Sequence, residues 1–116
     1  MRIGIVGSRD YKDMKRVYFY VSELPKDTVI VSGGARGVDW EAENAAKVFG
    51  LQTIIHRADW DVNGKLAGFL RNSLIVNDSD CIVAFWDGQS RGTLDTIQKA
   101  VQAGKVVKIY PDKEQS

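Results

Sequence analysis

Three short apolar runs in this 116-residue chain each lead into a loop that combines glycine with arginine. Ile3-Gly4-Ile5-Val6 leads into Gly7-Ser8-Arg9-Asp10, and Val29-Ile30-Val31 into Ser32-Gly33-Gly34-Ala35-Arg36-Gly37. Ile82-Val83-Ala84-Phe85 leads, by way of Trp86, into Asp87-Gly88-Gln89-Ser90-Arg91-Gly92-Thr93. Continuous apolar runs bounded by turn residues are the mark of parallel strands buried on both faces. Glycine lets the backbone take φ > 0 and approach a ligand closely, and a helix that starts just beyond offers free N–H groups. Three such loops at strand ends point to an anion site, a nucleotide phosphate above all.

The runs at 2–6, 28–32, 51–55, 80–85 and 106–110 are expected to be strands, and the helix-period segments near 12–24, 38–49, 66–77 and 93–103 to be helices. In the last helix Leu94, Ile97, Ala100 and Val101 are expected on the buried face; in the first, Val17, Tyr20, Val21 and Leu24. Pro25, Gly50 and Gly104 are placed to end helices. Five strands alternating with four helices predict an α/β doubly wound parallel sheet; right-handed crossovers leave two common five-strand orders, of which 3-2-1-4-5 is the one expected. In that order the winding reverses between strands 1 and 4, and ligands bind outside the carboxyl ends of the strands at such a point. The first, second and fourth loops then share one rim. A single domain over residues 1–111 is expected, with 112–116 as a frayed tail.

Composition narrows the partners. With 44% hydrophobic and 27% charged residues the chain reads as an ordinary globular domain. A net charge of +1 argues against a duplex-DNA binder, so anion recognition has to be local. The single cysteine, Cys81, reads as core packing, and no Cys/His cluster suggests a metal. No apolar run is long enough to span a membrane, and a cytoplasmic location is expected.

The stretch Val31-Ser32-Gly33-Gly34-Ala35-Arg36-Gly37-Val38-Asp39 resembles the second-strand signature of the SLOG superfamily, which takes in DNA-processing protein A (Smf) and the Lonely Guy phosphoribohydrolases. Gly7-Ser8-Arg9, the series Trp60, Gly64, Ala67-Gly68, Arg71-Asn72, and Phe85-Trp86-Asp87-Gly88 with Arg91-Gly92-Thr93 resemble its small stand-alone, YspA-like branch. The resemblance implies a Rossmann-like domain for a nucleotide or nucleotide-derived ligand, often homodimeric. It leaves the chemistry open, because the superfamily holds enzymes, sensors and DNA binders.

Arg9, Arg36 and Arg91 carry planar guanidinium forks suited to phosphate, unless each pairs with a loop carboxylate such as Asp10 or Asp87. Gly7, Gly33, Gly34, Gly88 and Gly92 are candidates to bring backbone N–H groups to the ligand. Ser8, Ser32, Ser90 and Thr93 offer hydroxyls, although Ser32 and Thr93 serve equally as helix caps. Trp86, beside Asp87, and Trp60 are candidates to stack on a base; Trp40, among Ala42, Ala45 and Ala46, reads as packing. Asp39, near a helix start, reads as complementing the helix dipole, and His56 as a surface histidine.

The resemblance to Lonely Guy enzymes also implies an arginine at the start of the helix segment before strand 4 and a glutamate after the Gly-Thr pair. Arg71 matches the arginine, with Asn72 after it, but Thr96 stands where the glutamate is expected. Cleavage of a ribosyl bond builds oxocarbenium character that a carboxylate stabilises and a threonine does not. Asp95 or Asp87 would have to substitute, and the candidate catalytic pair is Arg71 with Asp95. Binding or sensing of a small nucleotide without a cofactor is therefore the leading expectation. Nucleotide N-glycoside hydrolysis is the first alternative and single-stranded DNA binding the second.

Overall fold

The computed structural model describes residues 1–112. Its strands are β1 (Arg2–Gly7), β2 (Val29–Ser32), β3 (Gln52–Ile55), β4 (Cys81–Trp86) and β5 (Val106–Pro111), all parallel, in one sheet ordered β3-β2-β1-β4-β5. The expected Rossmann-like α/β order holds. The helices are α1 (Met14–Ser22), α2 (Val38–Val48), α3 (Trp60–Asn63), α4 (Ala67–Asp78) and α5 (Arg91–Gln102). The single turn of α3 was not expected; Asp59 caps it by accepting from the Val62 N–H at 3.2 Å, and a short 3₁₀ turn, Gly64–Leu66, joins it to α4.

The sheet is covered on both faces. One core joins Ile3, Ile5, Ile30, Val83 and Phe85 to Val17 and Val21 of α1 and to Val38, Ala42, Ala45 and Ala46 of α2. The other joins Val6, Val31, Ile82 and Ala84 to Ile75 and Val76 of α4 and to Ile97 and Ala100 of α5. Alternate residues of β1 thus serve opposite layers, which is why the strands read as unbroken apolar runs. Val101 departs from expectation: it is 62% exposed, because Ile97 and Ala100 already fill the contact with the sheet.

Close packing at the carboxyl end of β1 rests on glycine. A β-carbon on Gly7 would come within 2.6 Å of Val38 Cβ and 2.5 Å of the Phe85 carbonyl oxygen, so glycine there lets α2 and β4 close on the end of β1. At the other end of the chain, Asp112 falls in the stretch expected to be a tail. It is 3% exposed, its N–H donates to the Trp86 carbonyl at 3.2 Å, and its carboxylate accepts from the Lys12 N–H at 2.9 Å. Residues 113–116 lie outside the described residues. Among the described residues no helix is long and apolar enough to cross a membrane.

Candidate functional site

The loops after β1, β2 and β4 meet at the carboxyl edge of the sheet around a cleft of about 190 Å³. Val6 and Gly7 come from the end of β1, Arg9 from the loop after it, Ala35 and Arg36 from the loop after β2, and Ser90 from the loop after β4. Helices supply the rest: Asp39 from α2, Arg71, Asn72 and Ile75 from α4, and Gly92, Thr93 and Thr96 from α5. The cleft lies where the winding reverses between β1 and β4.

Two helices of adequate length begin at this cleft. The N-cap of α2 is Gly37 (φ 86°), with no side-chain cap, so its first N–H groups are left for water or a ligand. Ser90 caps α5, accepting from the Thr93 N–H at 3.3 Å. Both helix dipoles therefore favour negative charge in the same place.

Arginines stand over the glycine loops. Arg71 Nη1 donates to the Gly33 carbonyl at 2.7 Å, and Arg71 Nε donates to Asn72 Oδ1 at 3.0 Å. Asn72 in turn donates to the Gly92 carbonyl and to Asp95 Oδ2, each at 3.1 Å. This chain ties the second loop to α4 and α5. A β-carbon on Gly33 would lie 2.7 Å from Arg71 Nη1, so glycine makes the room that the guanidinium occupies. Among the described residues, the guanidinium groups of Arg9, Arg57 and Arg91 have no hydrogen-bond or ion-pair partner. Arg36 lies 5.7 Å from the centroid of the Trp40 ring.

The one carboxylate among the cleft's lining residues is Asp39. Burial pushes its carboxyl up to about 7, against the opposing pull of the Ala35 N–H, which it accepts at 3.2 Å, and of the nearby Arg71 charge. Its negative charge is thus partly suppressed near neutral pH, which favours an anion above it. Among the described residues no group of His, Cys, Asp and Glu side chains is placed to hold a metal ion.

The expected site residues divide by position. Gly7, Arg9, Arg36, Arg71, Asn72, Ser90, Gly92 and Thr93 line the cleft. Gly33, Gly34 and Trp60 line an adjoining hollow. Ser8, Ser32, Trp86, Asp87, Gly88 and Arg91 line neither. Ser8 is buried and accepts the Asp87 N–H at 3.0 Å, Ser32 is buried and donates to Glu43 at 2.6 Å, and Trp86 Nε1 donates to the Ser90 carbonyl at 3.1 Å. Asp87 accepts from the N–H groups of Gln89 and Ser90 at 2.9 and 2.8 Å. Although burial works the other way, these bonds and the Ser8 hydroxyl hold its carboxyl below the usual range. Gly88 supplies the positive φ of 81° in that turn.

Asp95 also lies outside the cleft's lining, with its carboxylate on Asn72 and on Lys99 Nζ at 2.7 Å. Thr96 lines the cleft, one residue and about 100° further round the helix. His56, expected at the surface, is 21% exposed at its side chain and paired with Asp78 at 2.5 Å. Trp40, read as packing, is 51% exposed; its indole N–H reaches the Gly34 carbonyl at 2.9 Å and its ring faces the adjoining hollow. Arg57 and Asp39 are the charged lining groups that sequence reasoning left out of the site. Arg57 follows β3 with no glycine signal beside it, and Asp39 had a sufficient role at a helix start.

The fold and its loop-built cleft define a Rossmann-like α/β domain of the SLOG type. A family model described as the YspA, cpYpsA-related SLOG family matches residues 1–62, and the chain belongs to that family. It is 37% identical over 122 residues to the Gene 61 protein of Mycobacterium phage D29, covering 97% of this chain and 98% of that protein. Two solved structures share the fold, each at 24% identity. DNA processing protein A of Streptococcus pneumoniae superposes with a TM-score of 0.82 over 93% of this chain and 49% of its own. DNA processing protein A of Helicobacter pylori, whose structure concerns its single-stranded DNA binding mode, superposes with a TM-score of 0.80 over 94% of this chain and 64% of its own. The chain thus spans about half to two-thirds of those DNA-processing proteins.

Proposed function

We propose that this chain binds a small nucleotide-type ligand at the carboxyl edge of its sheet and does not turn it over. The observation that carries the reading is charge imbalance in the cleft. Arg9, Arg36 and Arg71 face the start of an uncapped helix, and the single lining carboxylate is one whose charge burial suppresses. A phosphate supplies the missing negative charge and accepts the free N–H groups. Ser90, Gly92 and Thr93 lie opposite, where α5 begins.

Turnover has little support from the side chains. A ribosyl hydrolase needs an ionised carboxylate beside the sugar; on α5 Thr96 faces the cleft where Asp95 does not, and the one lining carboxylate, Asp39, accepts the Ala35 N–H and has its charge suppressed by burial. Thermal unfolding with AMP is the direct test. Stabilisation that grows with AMP concentration and falls in Arg36→Ala and Arg71→Ala is expected, since a ligand selective for the native state raises apparent stability. No stabilisation of the wild type by any nucleoside monophosphate would sink the reading. Release of free base from AMP would overturn its non-catalytic part.

A second reading, single-stranded DNA binding, gains from the exposed Trp40 and Trp60 beside arginines and from the fold shared with the Helicobacter pylori protein. The net charge of +1 weighs against a long basic path for a strand. A homodimer belongs to the same proposal. Leu66, Leu70 and Leu74 form a stripe at i, i+4, i+8, exposed by 64, 48 and 49%, and Phe69 beside it is exposed by 44%. Light scattering is expected to give a dimer mass, and Leu70→Glu a monomer; a wild-type monomer at high concentration contradicts it.

A further inference from the structure

Beyond the cleft, across the wall formed by Arg9, Ala35, Arg36 and Arg71, lies a second hollow of about 310 Å³. Four arginines line it, Arg9, Arg36, Arg57 and Arg71, together with Trp40 and Trp60, and no carboxylate does. Arg57 belongs to this hollow alone. Its guanidinium lies against the second glycine loop: a β-carbon on Gly34 would come within 2.7 Å of Arg57 Nη1. Gly34 holds φ 69°, so the loop is shaped to leave that space. The Arg57 and Arg9 guanidinium groups have no hydrogen-bond or ion-pair partner among the described residues, and none is recorded for Arg71 Nη2.

Four guanidinium groups sharing one hollow repel one another unless an anion lies among them. One phosphate in the inner cleft would be within the lining of Arg36 and Arg71 and would leave Arg57 without a counter-charge. A second phosphate in the outer hollow would meet Arg57 together with Arg9 and Arg36, which line both spaces. The aromatic lining then matters. Trp60 is 59% exposed, on the short helix that borders the hollow, and offers a ring face to a second base.

Resting on the nucleotide-binding reading above, we propose that the outer hollow is a second subsite and that the ligand is a dinucleotide, two nucleoside units carrying two phosphates. The first phosphate sits in the inner cleft over α2. The second is held by Arg57 with Arg36, and the second base stacks on Trp60. The shared arginine wall makes the two subsites one continuous site. Its extent ends at Arg57, Ala58 and Trp60.

Titration calorimetry at low salt with three probes tests this: AMP, the 5′-phosphorylated dinucleotide pApA, and an oligoadenylate of about 12 nucleotides, within the span of single-strand sites. The wild type is expected to bind pApA at least about tenfold more tightly than AMP, the gain from one charge-assisted phosphate contact or one stacked base. Arg57→Ala and Trp60→Ala are each expected to lose most of that gain while binding AMP as the wild type does, with unchanged melting temperatures. Equal wild-type affinity for AMP and pApA overturns the second subsite and leaves the nucleotide reading standing. An oligoadenylate that binds about a hundredfold more tightly than pApA, well beyond the roughly tenfold that its overlapping dinucleotide registers supply, overturns the dinucleotide in favour of a strand. Failure of all three probes to bind overturns both readings.

Discussion

Asp39 gives the site its own pH dependence. Its carboxyl titrates near 3.8 when unfolded and, buried, at about 7 in the fold. Between those values the folded state holds a proton that the unfolded state has released, so stability falls as pH rises through the window and stays reduced above it. Asp39→Asn keeps an acceptor for the Ala35 N–H and removes the ionisation. Relative to wild type it is expected to gain at least ~1 kcal/mol on going from about pH 5 to about pH 8, read from urea unfolding at both. The opposite sign would mean that Asp39 is charged and favourably paired in the fold. The same logic reaches the ligand: Asp39→Asn should bind AMP more tightly than wild type near pH 8 and equally near pH 5. This residue was legible in sequence only as a helix-start carboxylate. Its place in a cleft lined by Arg9, Arg36 and Arg71 depends on the start of α2 reaching the same rim as α4 of the opposite layer, and no local pattern carries that.

Among the elements, the second loop and α2 show how far local chemistry reaches. The Gly33-Gly34-Ala35-Arg36-Gly37 run announces tight backbone, and Gly37 indeed holds φ 86°. What the run does not announce is the neighbour: a β-carbon on Gly37 would lie 2.6 Å from the Arg9 Cα. Gly37→Ala is therefore expected to cost about 2 kcal/mol or more, from a strained dihedral and a clash with backbone together. Chemical denaturation measures it; a cost below ~0.5 kcal/mol would mean that the first loop moves freely away from α2. On α5, Ser90→Ala should cost about 1 kcal/mol through the lost cap. It should also weaken AMP binding, because Ser90 lines the cleft. Trp40 marks the limit of periodicity. It was read as packing with Ala42, Ala45 and Ala46, yet it lies exposed on the other side of α2, and the acceptor of its indole N–H is Gly34, on the preceding loop.

For the molecule as a whole, Phe85 links the sheet to the rest of one layer. It is fully buried, stacks on Tyr110 at 5.1 Å and meets the edges of Tyr11 and Tyr20 at 5.7 and 5.9 Å. Its carbonyl accepts the Ser8 N–H at 3.0 Å, which joins the first loop to β4. Phe85→Ala should cost about 3–5 kcal/mol, measured by urea unfolding. The loss should spread to ligand binding, because the ring's removal loosens the packing behind the end of β4, from which the loop carrying Ser90 leaves. Sequence alone determined the layered α/β class, because burial on both faces imposes continuous apolar runs, and handed crossovers narrowed the strand order to two, of which the structure holds the one that sets the glycine loops at one edge. Only the tertiary structure decided which loop residues face the cleft. Ser8, Ser32 and Asp87 turn inward to bind neighbouring backbone and side chains, while Arg57, with no motif beside it, and Asp39, readable only as a helix-start carboxylate, line the ligand space. The reason is physical: a polar group's partners are set by what lies within about 3 Å in space, and at a rim where three loops and several helices meet, those partners are far apart in the chain.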